Sequence, residues 1–456
     1  TKSWGANIVT FDRYSESREE IGTNLANEIN AENEGEVAII AGWITVLRDK
    51  GKIIFIKIRD GEGIAQIVLK QDEVSEELWV KAKKLTIESS ISVGGKIVAD
   101  ERSMTGAELK PEKITIHTIS KPLPIDLSAK KTETLIDTIF EHRELSIRRP
   151  EAIAVFKIKS QIAKAVREFY TSNNFYEIFT PYILGASTEG GAEMFPVDYF
   201  GEKGVLAQSC QFYKQAAIHS HEKVFGIIPS WRAEKSRTPK HVVEFHQIET
   251  EIAFGNDETI MEVQEQLIHH VVKYVVENCK GELKELGRED LIVPSLPLKR
   301  IPFEEAKKMG RELVEKNGGI EPEGDLSTPA ETLLSKTHTE PFFITNFPTE
   351  LRGMYYETTI ENEKITRSLD LIAPEGIGEL SSGGVRVNDA DRLINRIKAK
   401  NMDPKDFDWY VGMFRYGGVP HAGFGLGLER LTRWITGVFH IREAIMFPRT
   451  PDLWKP

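Results

Sequence analysis

Pro420-His421-Ala422-Gly423-Phe424-Gly425-Leu426-Gly427-Leu428-Glu429-Arg430 brings small residues and an arginine to the threshold of an apolar helical stretch. Residues without bulk let a backbone approach a ligand closely, and an arginine beside them can stack on that ligand or neutralise it. Such a stretch suits a nucleotide site, and equally a close strand-to-helix packing corner. The choice between the two falls to the rest of the chain.

Upstream, Trp231-Arg232-Ala233-Glu234 leads into Lys235-Ser236-Arg237-Thr238-Pro239-Lys240-His241, and then into Glu244-Phe245 and Ile248-Glu249-Thr250-Glu251. A strand, a basic polar loop and a returning strand are the simplest reading. A loop this rich in cations can embrace phosphates, although taken alone a solvated hairpin tip is the plainer reading. Asp370 and Glu379 flank Leu371 to Gly378, so carboxylates on neighbouring strand ends can hold Mg²⁺ through oxygen while the metal also meets nucleotide phosphates. Paired surface carboxylates are the plainer alternative. In Ser381-Ser382-Gly383-Gly384-Val385-Arg386 an arginine leaves a small-residue turn, from which it can fork onto a carboxylate.

Ahead of these motifs, alternating apolar runs at Val37–Ile44, Ile53–Ile58, Ile64–Leu69, Ile91–Val93 and Ile114–Ile116 predict five short strands. Asp60-Gly61-Glu62-Gly63 supplies the turn between the second and third, and a helix from Glu76 to Leu85 fits between the third and fourth. That order matches an OB-fold barrel over residues 35–120. Residues 1–34, polar and acidic, read as an exposed arm, and 121–150 as a proline-stiffened linker or hinge. The remainder, 151–456, reads as a second, larger domain. It opens with an amphipathic helix carrying Ile158, Ile162, Val166 and Phe169, has a second helix from Thr259 to Val276, and contains a helical insert at about 297–345. The fold class is α+β.

A chain of 456 residues exceeds the reach of one core, which predicts more than one domain. Its 40% hydrophobic and 28% charged residues describe a soluble globular protein, with no apolar run long enough to cross a membrane. No secretory segment is read at Thr1-Lys2-Ser3-Trp4, so a cytoplasmic location is the default expectation. Cys210 and Cys279 alone support neither a disulfide framework nor a zinc site. A net charge of −11 argues against wholesale coating of a polyanion, which leaves RNA binding to local sites.

Together, and in this order, these segments resemble the class II aminoacyl-tRNA synthetases, in the aspartyl/asparaginyl branch. Ile158 to Pro181 stands for the family's first motif, Arg232 and Glu234 lie in its second, and Gly423 to Arg430 form its third. Glu189-Gly190-Gly191, Gln208-Ser209-Cys210-Gln211 and Phe447-Pro448-Arg449 narrow the branch, and the likeness covers roughly residues 36 to 456. The resemblance implies an OB-fold anticodon-binding barrel and a catalytic antiparallel sheet flanked by helices, with dimerisation partly through the first motif. It implies two steps, in which ATP and an amino acid form an aminoacyl adenylate and the 3′ end of tRNA then takes the amino acid. By position Arg232 meets the α-phosphate, Glu234 the adenine amino group or the tRNA end, His241 the distal phosphates and Phe245 the adenine face. Gly423, Gly425 and Gly427 make room for ATP, Arg430 caps it, and Asp370 with Glu379 holds Mg²⁺. Glu189, Ser209, Gln211, Lys214, Glu249 and Arg386 surround the amino acid; Phe55 and Gln66 contact the anticodon.

The amino acid itself is the divided point. Lys214 and Arg386 bring two positive charges and Glu249 one negative, so a substrate carboxylate would complete neutrality, which favours aspartate and tRNA(Asp), with tRNA(Asn) as a further acceptor. Asparagine is the alternative, because Asp403 to Tyr410, Tyr416 to His421 and Phe447 to Pro451 resemble asparaginyl enzymes more closely. On that alternative a Lys214→Leu change preserves or improves asparagine activation. A reading of another class, a non-catalytic synthetase-like RNA-binding or regulatory protein, is disfavoured by the retained set Arg232, Glu234, Asp370, Glu379 and Arg430.

Overall fold

The computed structural model describes residues 22, 24–103, 105–127, 136–185, 194–235 and 240–455. It divides into two compact units, up to Asp126 and from Leu127 onward.

In the first unit β1 (Val37–Asp49), β2 (Ile53–Arg59), β3 (Ile64–Lys70), β4 (Ser90–Ala99) and β5 (Ala107–Thr118) close into a barrel in the order β1-β2-β3-β5-β4. Period-two alternation drives the closure: Ile54, Ile56 and Ile58 point inward with Ile40, Ile44, Ile67 and Leu69, while Phe55 and Lys57 point outward. The expected turn forms because Asp60 Oδ1 accepts from the backbone N–H groups of Glu62 (2.8 Å) and Gly63 (2.9 Å). The helix between β3 and β4 spans Glu76–Ala82, capped by Ser75 Oγ on the Leu78 N–H. Closure itself rests on β3 meeting β5 in parallel at Ile67 and Leu109. Part of the expected arm packs instead of extending: Ala26 and Ile29 are fully buried in the barrel core, and Asn24 bonds the backbone of Ile39 in both directions.

The second unit is built on an eight-stranded sheet. Its strands, in chain order, include β6 (Tyr176–Glu177), β7 (Ile183–Leu184), β8 (Pro196–Tyr199), β9 (Glu202–Leu206), β10 (Lys223–Trp231), β11 (Glu244–Ala253), β12 (Lys299–Pro302), β13 (Phe342–Thr345), β14 (Ser368–Ala373), β15 (Gly378–Val385) and β16 (His421–Gly427). The sheet order is β12-β13-β14-β15-β16-β11-β10-β6, with β7, β9 and β8 forming a separate small sheet. The centre is antiparallel, as expected, but each edge adds a parallel pair, β12 on β13 and β6 on β10. The helical insert thus contributes more than helices: Phe303–Lys316 and Thr328–Lys336 lie between two strands that extend the sheet. Within the stretch expected as linker, Arg143 is buried and donates to the carbonyls of Met446 (2.7 Å) and Ile445 (2.9 Å), fastening it to this unit.

One face of the sheet is covered by the helices Pro150–Ser172 and Asp257–Asn278, whose Ile158, Ile162, Val166, Val271 and Val272 pack with Ile248, Phe424 and Leu426. Alternation then sends Gln247, Glu249 and Glu251 of β11, and Gly423, Gly425 and Gly427 of β16, to the opposite face. The glycine-rich stretch is therefore a central strand hydrogen-bonded on both sides, and Gly427 is the N-cap position of the helix Leu428–Thr436.

Candidate active site

On that face Arg232, Glu234, His241, Phe245, Gly427 and Arg430 line a single pocket, with Glu379 entering from β15. Seven residues from three stretches, 232–245, Glu379 and 427–430, meet because β16 lies between β11 and β15 in the sheet. The Arg232 guanidinium stands 5.4 Å from the centre of the Phe245 ring, so one aromatic face and a cation share a wall. Arg430 Nη1 donates to the Glu379 carbonyl at 2.9 Å and pairs with its carboxylate at 3.5 Å. Burial, followed by the Arg430 charge, holds the His241 imidazole below its ordinary pKa. A pocket with an aromatic wall and several cations suits a purine joined to phosphates.

A wider cleft of about 740 Å³ adjoins it, sharing Arg232, Gln247, Glu379 and Gly425, and is also lined by Ser209, Gln211, Glu249, Tyr356 and Ser382. Behind its wall lies a buried charge cluster. Lys214, at 1% exposure, reaches Glu249 Oε2 (2.7 Å), Glu251 Oε2 (3.2 Å) and the carbonyls of Phe424 (3.1 Å) and Thr250 (3.2 Å). Ser209 Oγ donates to the other oxygen of Glu249 at 2.8 Å. Arg386 Nε donates to Glu251 Oε1 at 3.0 Å, and its guanidinium stacks near Tyr356 at 4.8 Å. Burial raises the Glu251 pKa, but Arg386 and Lys214 outweigh it and keep the carboxyl below the usual range.

Glu251 corrects the charge count made from sequence. It was quoted in its strand but given no place in the pocket, although it sits two residues from Glu249 on the same face. With it, Lys214 and Arg386 face Glu249 and Glu251, and the cluster is neutral without a substrate carboxylate. An ammonium has three N–H donors, and four protein acceptors already surround that of Lys214. Buried donors without a hydrogen-bond partner among the described residues remain at Arg386 Nη1 and Gln211 Nε2.

The glycines divide their work differently from expectation. A Cβ on Gly423 would stand 2.0 Å from Glu251 Oε2 and 2.3 Å from the Thr250 carbonyl, so this glycine makes room for Glu251 rather than for ATP. At Gly425 the nearest atom would be Glu249 Oε2 at 3.1 Å, and Gly427 meets only ordinary contact with Arg430 at 3.5 Å.

Asp370 and Glu379 do lie together. Asp370 Oδ2 accepts from Arg352 Nη2 at 2.6 Å, while Oδ1 is buried without a hydrogen-bond partner among the described residues. Burial, aided by the Glu379 charge and opposed by Arg352, pushes the Asp370 carboxyl up to about 6. Burial raises the Glu379 pKa too, but Arg430, Arg352 and Arg232 hold it below the ordinary value. No cluster of three or more His, Cys, Asp or Glu side chains suited to a metal occurs among the described residues. Glu189 lies outside the described residues.

A neutral relay backs the charge cluster. Tyr410 OH donates to Gln215 Oε1 (2.8 Å), Gln215 Nε2 donates to His421 Nε2 (2.7 Å), and His421 Nδ1 donates to the Val419 carbonyl (2.7 Å). Burial pushes the His421 pKa down to about 4, below the ordinary 6.5. A histidine depressed in the folded state stabilises fully above its unfolded pKa and loses that contribution as pH falls through 6.5 toward 4. Urea unfolding at pH 5 is therefore expected to give about 2 kcal/mol less stability from this residue than at pH 7. A His421→Gln variant should lack that component of the slope; an unchanged slope would exclude the relay as its source.

On the barrel, Phe55 and Gln66 share the outer face, since Gln66 pairs with Lys57, two residues from Phe55. Lys50 Nζ lies 5.8 Å from the Phe55 ring centre, and Gln66 Nε2 donates to Glu108 at 3.3 Å. The same surface holds Trp43, 46% exposed, with Arg59 at 5.7 Å from its ring. Sequence reading missed that pair, although a tryptophan on a barrel strand was a visible signal.

Residues 136–451 match the family model of class II tRNA synthetases (D, K and N), and 38–116 match that of the OB-fold nucleic acid binding domain. The chain is 40% identical over 434 residues to an asparagine–tRNA ligase of Pyrococcus horikoshii, covering 94% of this chain and 98% of that one. The crystal structure of asparaginyl-tRNA synthetase from Pyrococcus horikoshii complexed with asparaginyl-adenylate superposes with a TM-score of 0.88 at 37% identity, over 95% of this chain and 99% of that one. An aspartyl tRNA synthetase from Entamoeba histolytica superposes at 0.81 with 26% identity, over 95% and 92% of the two chains. No described helix is long and apolar enough to cross a membrane. ATP is a substrate of this family, and the pocket lined by Arg232, Phe245 and Arg430 is of the kind a nucleotide requires. The chain belongs to the class II tRNA synthetases of the D, K and N group, and within it is an aminoacyl-tRNA ligase of the aspartate/asparagine type.

Proposed function

We propose that the chain is an asparagine–tRNA ligase, which activates asparagine with ATP and transfers it to tRNA(Asn). The observation that carries this reading is Glu251, which completes a charge-neutral cluster with Lys214, Arg386 and Glu249. A neutral amide can enter beside a balanced cluster, whereas a substrate carboxylate would add an unpaired buried charge. Glu249 retains acceptor capacity for an amide N–H, and Arg386 Nη1 is a donor for an amide oxygen. The likeness to the asparagine–tRNA ligase of Pyrococcus horikoshii supports the same choice. It reverses the preference for aspartate drawn from sequence.

In the proposed reaction the carboxylate of asparagine attacks the α-phosphorus of ATP, pyrophosphate leaves, and the terminal ribose hydroxyl of tRNA displaces AMP from the adenylate. Arg232 neutralises the α-phosphate, Phe245 and Arg430 sandwich the adenine, and His241 meets the distal phosphates. Positioning and charge neutralisation suffice for much of the rate gain. Asp370 and Glu379 offer oxygen donors of the kind a hard cation prefers, and the orphaned Asp370 Oδ1 fits that role. Mg²⁺ held there would supply further neutralisation of phosphate charge. Phe55, Gln66 and Trp43 form the barrel surface for anticodon bases, by stacking and hydrogen bonding. Exposed Tyr176 and Phe179 at the end of the first motif, with Ile183 just beyond it, fit a homodimer contact.

ATP/pyrophosphate exchange measured with each amino acid tests the reading. Asparagine should drive exchange at least about a hundredfold more efficiently than aspartate, the discrimination expected from an unpaired buried charge. Charging of purified tRNA(Asn) should follow. Exchange driven by aspartate alone would return the assignment to aspartate.

A further inference from the structure

We propose that Glu331 and Thr332, in the inserted helix Thr328–Lys336, are positioning residues that hold the Lys240 ammonium at the phosphate end of the nucleotide pocket. The inference rests on the nucleotide reading of the pocket and deepens it.

Lys240 lines the same pocket as Arg232, His241 and Arg430, so its charge belongs to the group that would face a polyphosphate. Its ammonium lies 2.8 Å from Thr332 Oγ1 and 3.2 Å from Glu331 Oε1, and only 14% of its side chain is exposed. A free lysine side chain samples many rotamers, and two contacts on one helix restrict that freedom before any ligand arrives. Neither contact comes from the three family motifs; both come from the insert between β12 and β13.

The turn joining β14 to β15 is shaped around this pair. At Gly378, with φ of +87°, an added Cβ would stand 1.9 Å from Glu331 Oε1 and 2.9 Å from Lys240 Nζ. Glu379, which also lines the pocket, is the next residue. Three segments distant in sequence thus converge on one ammonium at the pocket edge. Burial lowers the Lys240 pKa and raises that of Glu331, so the pair is held against a desolvation cost. A polyanion at the pocket would add favourable charge to the lysine side of that balance.

Binding of ATP, AMP and pyrophosphate, each with magnesium, to the unaltered protein and to Lys240→Met, Lys240→Arg and Glu331→Gln tests the proposal. Loss of a charge-assisted hydrogen bond predicts that Lys240→Met weakens ATP and pyrophosphate about tenfold or more, with AMP changed less than about twofold. Lys240→Arg should restore most of the ATP affinity, and Glu331→Gln should shift ATP and pyrophosphate in the same direction as Lys240→Met by a smaller factor. Equal losses of AMP and ATP, or a fall in melting temperature with unchanged ligand affinities, would show a merely structural ion pair and overturn the proposal. Failure of the unaltered protein to bind ATP is a separate outcome, which would overturn the nucleotide reading itself.

Discussion

A Lys214→Leu variant is expected to lose about 3–5 kcal/mol of unfolding stability, the cost of breaking a buried ion pair from one side. Removing the ammonium strands Glu249 and Glu251, at 2% and 0% exposure, leaving Glu249 with Ser209 and Glu251 with Arg386. Exchange with asparagine should fall at least about a hundredfold along with it, since Glu249 lines the cleft and loses its anchor. This is the reverse of the sequence expectation that leucine preserves or improves asparagine activation, and the reversal follows from Glu251. Adding Glu251→Gln to Lys214→Leu should recover part of the stability, measured as a coupling in a double-mutant cycle from urea unfolding. A stable and active single variant would show that the cluster does not carry the charge balance assigned to it.

The second large effect is steric. Gly423→Ala should destabilise the catalytic unit by about 3 kcal/mol, the upper end of the usual overpacking cost, because the site must move backbone to relieve the clash. Its Cβ would meet the Thr250 carbonyl at 2.3 Å, an atom fixed by β11–β16 pairing, as well as Glu251 Oε2 at 2.0 Å. A side-chain shift cannot clear a backbone oxygen. Gly427→Ala is the internal comparison, since its Cβ would meet nothing nearer than 3.5 Å, and its stability should stay within about 1 kcal/mol of the parent. Equal melting temperatures for the two variants would refute the argument.

Much of the fold was legible because it is written in alternation. Ile54, Ile56 and Ile58 announce a barrel strand, and Ile158, Ile162 and Val166 a buried helix face, whatever lies around them. The meeting of Arg232, Phe245 and Arg430 in one pocket was legible from their motifs, and the nucleotide reading of that pocket is the one proposed above. What escaped was relational. Glu251 reads as one acidic residue among several until β11 is set between β10 and β16, which turns it toward Arg386. The role of Gly423 escaped for the same reason, since it answers to a side chain on the neighbouring strand. The edge strands β6 and β12 are two and four residues long, too short to show a period.

The closure of the barrel at Ile67 and Leu109 has a consequence for the order in which the chain is made. β5 is the last barrel strand to be synthesised, and it is the one that bridges β3 and β4. Until it emerges from the ribosome, β3 and β4 present open edges, the surfaces by which nascent sheets associate wrongly. The barrel's protection from such encounters therefore arrives all at once, with its final dozen residues.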